Sequence, residues 1–211
     1  MADGTLTLRQ QLDAAQENTQ SVYERNAAAW HRIRNRSLFE KVWLDRFEER
    51  LTAKGPLLDL GCGSGAPVAN YFLEKGYAIT GVDSSQAMIA LARANYPAGN
   101  WLVEDMTRLS VNEKFTGIYS WDGFFHLTQK QQRALLPQLT CRLTPGGALL
   151  LTVGYGDGEV LGTVIGEQVY HASLASSEYE DILTSNGCTD INFKANDEEC
   201  FGRSVLLATK T

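Results

Sequence analysis

The sequence is poor in several things, and each shortage removes a class of function. None of its 211 residues fall in a run of eighteen apolar side chains, so no segment reads as a membrane-spanning helix and no membrane partner is expected. The opening MADGTLTLRQ contains no apolar stretch of the secretion-signal kind, so a cytoplasmic location is expected. Cysteine is sparse and scattered: Cys62, Cys141, Cys188 and Cys200 include no CxxC pair. That spacing supports neither a disulfide framework nor a zinc site, and no metal is expected. Basic surplus is also missing. The net charge is −6, with residues 1–55 near balance at nine Lys/Arg against eight Asp/Glu and residues 56–211 at ten against seventeen. The one basic cluster, HRIRNR, is too short to neutralise a phosphate backbone, so nucleic acid is not expected as a partner.

What is present is a chain long enough for one domain, with no internal repeat. Residues 8–31 read as a helix. A second helix is predicted from Arg36 to Ala53, because Phe39, Trp43, Phe47 and Leu51 recur every four residues. Gly55-Pro56 breaks that pattern, dividing a helical cover (1–55) from the rest (56–211). Short apolar runs then alternate with helical stretches. Strands are predicted at 57–60, 77–83, 101–105, 117–121, 148–154, 189–194 and 204–210. Helices are predicted at 67–75, 86–95, from Thr128 to Leu143 and from Ser177 to Asn186. Thr128 with Gln131, and Ser177 with Glu180, have capping-box spacing, and Pro145-Gly146-Gly147 reads as a turn. Alternating strand and helix implies an α/β fold, a mostly parallel sheet with helices on both faces. In such sheets ligands bind beyond the carboxyl ends of the strands.

The informative motifs fall at those ends. LLDLGCGSGA, Leu57 to Ala66, ends a strand in a glycine loop that lets a ligand approach the backbone. Gly61, Gly63 and Ala66 fit GxGxxA, a pattern shared with dinucleotide sites. Asp59 separates the two: its carboxylate would repel a pyrophosphate and attract the ammonium and sulfonium of S-adenosylmethionine. Asp83 closes the next strand, where an acid accepts hydrogen bonds from ribose hydroxyls of either cofactor. Asp105 and Met106 follow the third strand, placed to meet an adenine edge and face. Asp59 and Asp105 are read as ligand-facing groups rather than turn caps; Ser84 and Ser85 are read as caps of the following helix.

LLDLGCGSG, GVDSS, VEDM and LTPGG, in that order, resemble a class I S-adenosylmethionine-dependent methyltransferase of the small Rossmann-like kind, over residues 20–211. The resemblance implies a three-layer sandwich on a seven-stranded sheet of order 3-2-1-4-5-7-6, with N-terminal cover helices. It implies S-adenosylmethionine as cofactor and S-adenosylhomocysteine as product, held by Asp59, Gly61, Cys62 and Gly63 in the loop. Asp83, Ser84, Met88, Asp105, Met106 and Trp121 would complete the site, and Tyr23, Trp30 and Arg34 would close over it from the N-terminal helix. Cys62 is expected as a small loop residue and not as a nucleophile, since no basic neighbour lowers its pKa.

WDGFFHL, Trp121 to Leu127, then straddles the end of the fourth strand, from which the family reaches its acceptor. His126 is the candidate general base, with His171 second, against an equal reading of His126 as a structural histidine bonded to a neighbouring loop; Phe124, Phe125 and Tyr170 are expected to wall an acceptor pocket, with one of the two phenylalanines equally read as core. His171 lies in EVLGTVIGEQVYHASL, read as an insert that is either a flap over the strand ends or a purely structural hairpin. Asp122 lacks the companion Asp-Asn pair of metal-using relatives. Arg32 and Arg36, four apart, form either a clamp for a carboxylate or a solvated charged face. The expected activity is methyl transfer to a small molecule, by a monomer or homodimer. Other alkyl chemistry, cofactor binding without catalysis, and nicotinamide-linked oxidoreduction are the rivals.

Overall fold

The computed structural model describes residues 6–211. Helix α1 (Leu8–Ile33) opens with a capping box in which Thr7 accepts from the backbone of Gln10 and the Gln10 side chain answers. It ends before Arg36, so Arg32 and Arg36 do not share a helical face. Arg36 instead donates to the His31 ring and carbonyl, and no carboxylate clamp is built there. Helix α2 (Lys41–Glu49) is shorter than predicted, because Leu38 takes a left-handed φ of 56° in the connecting turn. Its apolar stripe of Trp43, Leu44 and Phe47 is buried.

The sheet follows: β1 (Leu57–Leu60), α3 (Val68–Glu74), β2 (Ile79–Asp83), α4 (Gln86–Asn95), β3 (Asn100–Val103), β4 (Phe115–Ser120), α5 (Gln129–Arg142) and β5 (Leu143–Val153). Then come the hairpin β6 (Gly158–Val164) and β7 (Glu167–Ser173), α6 (Ser176–Ser185), β8 (Cys188–Asp197) and β9 (Arg203–Lys210). The order across the large sheet is β3-β2-β1-β4-β5-β9-β8, with β9 antiparallel to both neighbours. Without the separate hairpin, this is the predicted 3-2-1-4-5-7-6, with an antiparallel last strand.

Successive strand residues point to opposite faces, which makes the three layers visible in the packing. Leu57, Tyr119 and Leu150 pack with Phe47 and Phe72 beneath α2 and α3. Leu58, Ile118 and Leu149 pack with Leu135, Leu139 and Leu183 beneath α5 and α6. Thr128 and Gln131 form the predicted capping box. Ser177 and Glu180 do not: α6 starts earlier, from Ala175 without a side-chain cap. The buried Tyr179 sets that start, its hydroxyl bonded to Gln132, Ser173 and the Leu174 amide. Pro145-Gly146-Gly147 lies inside β5, as an irregularity in its pairing with β4.

Gly81 shows how the core fixes the ligand loop. It sits beside Trp101 in the β2–β3 register, and a Cβ there would lie 2.4 Å from the indole. The same indole lies 3.1 Å from where a Gly65 Cβ would be. Trp101 thus supports the glycine loop from below. We expect Gly81→Ala to cost about 2 kcal/mol in urea unfolding, as an overpacked core site does.

Candidate functional site

The ends of β1 to β4 open into one cavity of about 390 Å³, within the range of small-molecule sites. Of the residues predicted to hold a cofactor, all thirteen line it: Tyr23, Trp30, Arg34, Asp59, Gly61, Cys62, Gly63, Asp83, Ser84, Met88, Asp105, Met106 and Trp121. Helix α1 lies across the opening and contributes Gln16, Thr19, Gln20, Tyr23 and Trp30.

Asp59 is buried at 4% exposure on the cavity wall, with the Tyr119 hydroxyl nearby and, among the described residues, no basic side chain paired with its carboxylate. Burial pushes its carboxyl well above the usual range; the nearby Tyr119 hydroxyl opposes the rise and the Asp83 charge adds to it. Asp83 is better satisfied. Its Oδ2 accepts from the Gly63 amide at 2.9 Å and its Oδ1 from the Ser85 amide at 2.8 Å, so it ties the glycine loop to the start of α4. Burial still raises its pKa. Gly61 and Gly63 have φ of 69° and 52°, in the left-handed region that favours glycine. In front of Gly63 the space is open, with only Met88 Sδ at 4.0 Å from a built Cβ. Cys62 is buried, and burial with the charges of Asp59 and Asp83 holds its thiol protonated, in keeping with an inert loop residue.

The two serines divide their roles. Ser85 caps α4, accepting from the Met88 amide and donating to Glu24 of α1 at 2.6 Å. Ser84 is not a cap; its carbonyl accepts from Gln20 of α1. Asp105 does have the capping role set against it above. Its Oδ1 accepts from the amide and hydroxyl of Thr107, closing the turn Met106–Arg108, because the chain bends sharply there to leave β3.

WDGFFHL divides between cavity and core. Trp121, Asp122, Gly123, His126 and Leu127 line the cavity. Phe124 does not; it is fully buried between the sheet and α5. Phe125 packs on His126 and His171, with ring centres 4.9 and 4.6 Å away, behind the wall. Tyr170 is likewise no pocket wall: its side chain is buried against α1 and its hydroxyl bonds Glu159. His171 stacks 4.9 Å from His126, over Gly162, and does not reach the cavity lining. The β6–β7 segment is no free flap. It is fastened along α1 by Arg25 and Asn26 on Glu167, by Arg9 on Glu159, and by the Tyr170 amide on Thr19.

His126 itself is fully engaged. Its Nδ1 lies 2.8 Å from the Tyr170 carbonyl, which can only accept, so Nδ1 carries the hydrogen. Its Nε2 therefore accepts from the Tyr23 hydroxyl, at 2.9 Å. Burial, with the His171 ring beside it, pushes the His126 pKa down to about 4. A neutral ring with both nitrogens occupied fits the structural histidine of the two sequence readings, bonded to a neighbouring segment, rather than a free general base. Burial also raises the Tyr23 hydroxyl, which stays protonated.

At the other end, Arg34 donates to the buried Glu40 at 2.5 Å and lies 3.6 Å from Asp122. Asp122, in a left-handed conformation, also accepts two hydrogen bonds from Arg203 of β9. Sequence reasoning missed Gln16, Thr19 and Gln20, although their spacing with Tyr23 marks one face of α1. It read Gln131 as a capping residue only, and it missed Glu24, whose partner Ser85 lies 61 positions away.

Residues 57–147 match the family model of a methyltransferase domain. Among solved structures, a SAM-bound amino pentose methyltransferase from Micromonospora echinaspora has a TM-score of 0.69 at 22% identity, covering 90% of this chain and 97% of that one. An O-methyltransferase of Pyrenophora dematioidea is 27% identical over 152 residues, which is 64% of this chain and 56% of that protein. A trans-aconitate 2-methyltransferase of Delftia acidovorans is 32% identical over 106 residues, 45% of this chain and 36% of that protein. The match to each of these curated relatives thus covers little more than half of its length, or less.

Proposed function

We propose, from the match of residues 57–147 to a methyltransferase-domain model and the fold shared with a SAM-bound methyltransferase, that this protein binds S-adenosylmethionine in the cavity and transfers its methyl group to a small molecule. The observation that carries the reading is Asp59. A buried carboxylate with no basic side chain paired to it, on the wall of a cavity, is a costly arrangement unless a cationic ligand completes it. An ammonium does so, whereas the pyrophosphate of a dinucleotide would be repelled. Asp83 would take the ribose hydroxyls, the second oxygen of Asp105 the adenine amine, and Met106 the ring face. When bound, the cofactor supplies an electrophilic methyl on a sulfonium. The chain's own work is alignment and exclusion of water, which suits a cavity roofed by α1. A roofed cavity of about 390 Å³ also favours a small acceptor over a macromolecule.

The test is calorimetric titration with S-adenosylhomocysteine, for which micromolar affinity is expected. A folded sample that binds none would end this reading. A pH series adds a signed prediction. The raised carboxyls must be ionised, that of Asp59 to hold the ammonium and that of Asp83 to accept from the ribose hydroxyls. Affinity for S-adenosylmethionine should therefore fall as pH is lowered through their raised pKa values. Above that range it should be flat. Within it, protons should be released on binding, seen as an enthalpy that varies with the ionisation heat of the buffer.

A further inference from the structure

The cavity's charges say what an acceptor cannot be. Five carboxylates line it, from Asp59, Asp83, Glu104, Asp105 and Asp122, against one guanidinium, that of Arg34. Arg34 is already committed to Glu40 and leans on Asp122. Asp59, Asp83 and Asp105 are the cofactor's in the reading above, and Asp122 is paired with Arg203. An acceptor bearing a carboxylate or phosphate would meet no free cation among the described residues lining the cavity. Toward α1 and α5 the wall turns neutral, through Gln16, Gln20 and Gln131. The capping box holds Gln131 Oε1 on the Thr128 amide and hydroxyl, which leaves its Nε2 to donate.

The hydrogen-bond directions say what the acceptor atom is. The Tyr170 carbonyl fixes the His126 tautomer, and His126 takes the Tyr23 hydrogen. The Tyr23 oxygen is left with lone pairs only. The wall thus offers a fixed hydrogen-bond acceptor with no free base beside it: Asp83 is held by the Gly63 and Ser85 amides, Asp105 by Thr107, Glu104 by Ser110 and Asp122 by Arg203, and Asp59 is the cofactor's in the reading above. A nucleophile that keeps a hydrogen while it attacks fits that wall.

We propose, on the strength of the methyl-transfer reading above, that the acceptor atom is the neutral nitrogen of a primary or secondary amine, on a compact polar molecule without carboxylate or phosphate. Tyr23 Oη receives its N–H. The nitrogen lone pair forms the new N–C bond, the methyl carbon–sulfur bond breaks, and its electron pair stays on sulfur as the thioether. The positive charge passes from sulfonium to nitrogen, and the resulting ammonium later gives its proton to solvent. The charge therefore stays positive inside a wall of carboxylates, and the bond to Tyr23 strengthens as the nitrogen charges. His126 is a positioning residue, acting through Tyr23.

Two measurements decide this. The first follows labelled methyl from S-adenosylmethionine into matched triplets of amine, alcohol and carboxylate, built on the same benzyl and hexose skeletons. Incorporation into an amine at least tenfold above its oxygen partners is expected. Equal or greater incorporation into an alcohol or carboxylate overturns the proposal, and so does none into any amine. Titration of the same sample with S-adenosylhomocysteine separates the two failures: if it binds, only the acceptor assignment has failed. The second measurement needs no acceptor. Nitrogen spectra of histidine-labelled protein should show His126 as the Nδ1–H tautomer, neutral at pH 6, with an Nε2 resonance that moves in Tyr23→Phe. The groups facing its ring are Tyr23 of α1, His171 and the Tyr170 carbonyl of β7, and Phe125 and Asp122 of its own loop. Titration near pH 6.5 would overturn the proposal, because such a histidine is a competent base.

Discussion

Alanine at position 83 is expected to weaken S-adenosylhomocysteine binding by a hundredfold or more, about 2.7 kcal/mol. Two losses combine. The carboxylate placed to accept from the ribose hydroxyls disappears. The amides of Gly63 and Ser85 also lose the partner that ties the glycine loop to α4. The loop then no longer holds its amides in place, and each freed N–H must find water in a buried corner. Stability should change far less than affinity, because the substitution also removes a carboxylate that burial disfavours. Asp83→Asn should fall between: its oxygen keeps one amide, while its NH₂ faces the other. Calorimetry beside thermal unfolding on all three proteins checks the ordering. Equal affinity in wild type and alanine variant would remove Asp83 from the site.

The contrast between Asp83 and His126 shows what the sequence could carry. Asp83, Gly61 and Gly63 belong to a local pattern, a strand ending in a loop that opens a helix. Their place in the cavity follows from the parallel sheet. Strand order came from the family resemblance that these motifs carry together, since no motif by itself says which strands lie side by side. His126 was legible as a residue of the cavity but not as a role. Its chemistry depends on Tyr23, 103 positions earlier, and on the Tyr170 carbonyl, 44 positions later. Phe124 and Phe125 look alike in sequence, yet the short helical turn Phe124–His126 sends the first into the core and the second toward His171. The hairpin was readable as an insert. Its attachment along α1 was not, because it rests on pairs such as Arg25–Glu167 that no spacing rule links.

Arg34 joins stability to function, and its replacement should produce the larger loss of stability. Glu40 is completely buried, its Oε1 bonded to Arg34 and its Oε2 without a partner. Arg34→Met would leave an uncompensated buried carboxylate, at a cost of about 3–5 kcal/mol in urea unfolding. Glu40→Met should cost less, because Arg34 keeps Asp122 at 3.6 Å and some access to solvent. The double variant removes both charges and packs two similar volumes, so it should recover most of the loss and give a large coupling energy in the cycle. Asp122 stays paired with Arg203 in every member of the series. Additive single effects would show that the pair is not the unit that matters. The restored double variant also isolates the ligand question. It lacks the Arg34 guanidinium at the cavity wall yet should fold as the wild type does. Any deficit in its affinity for S-adenosylhomocysteine then reports contact between Arg34 and ligand, and unchanged affinity would assign Arg34 to holding the end of α1 in place.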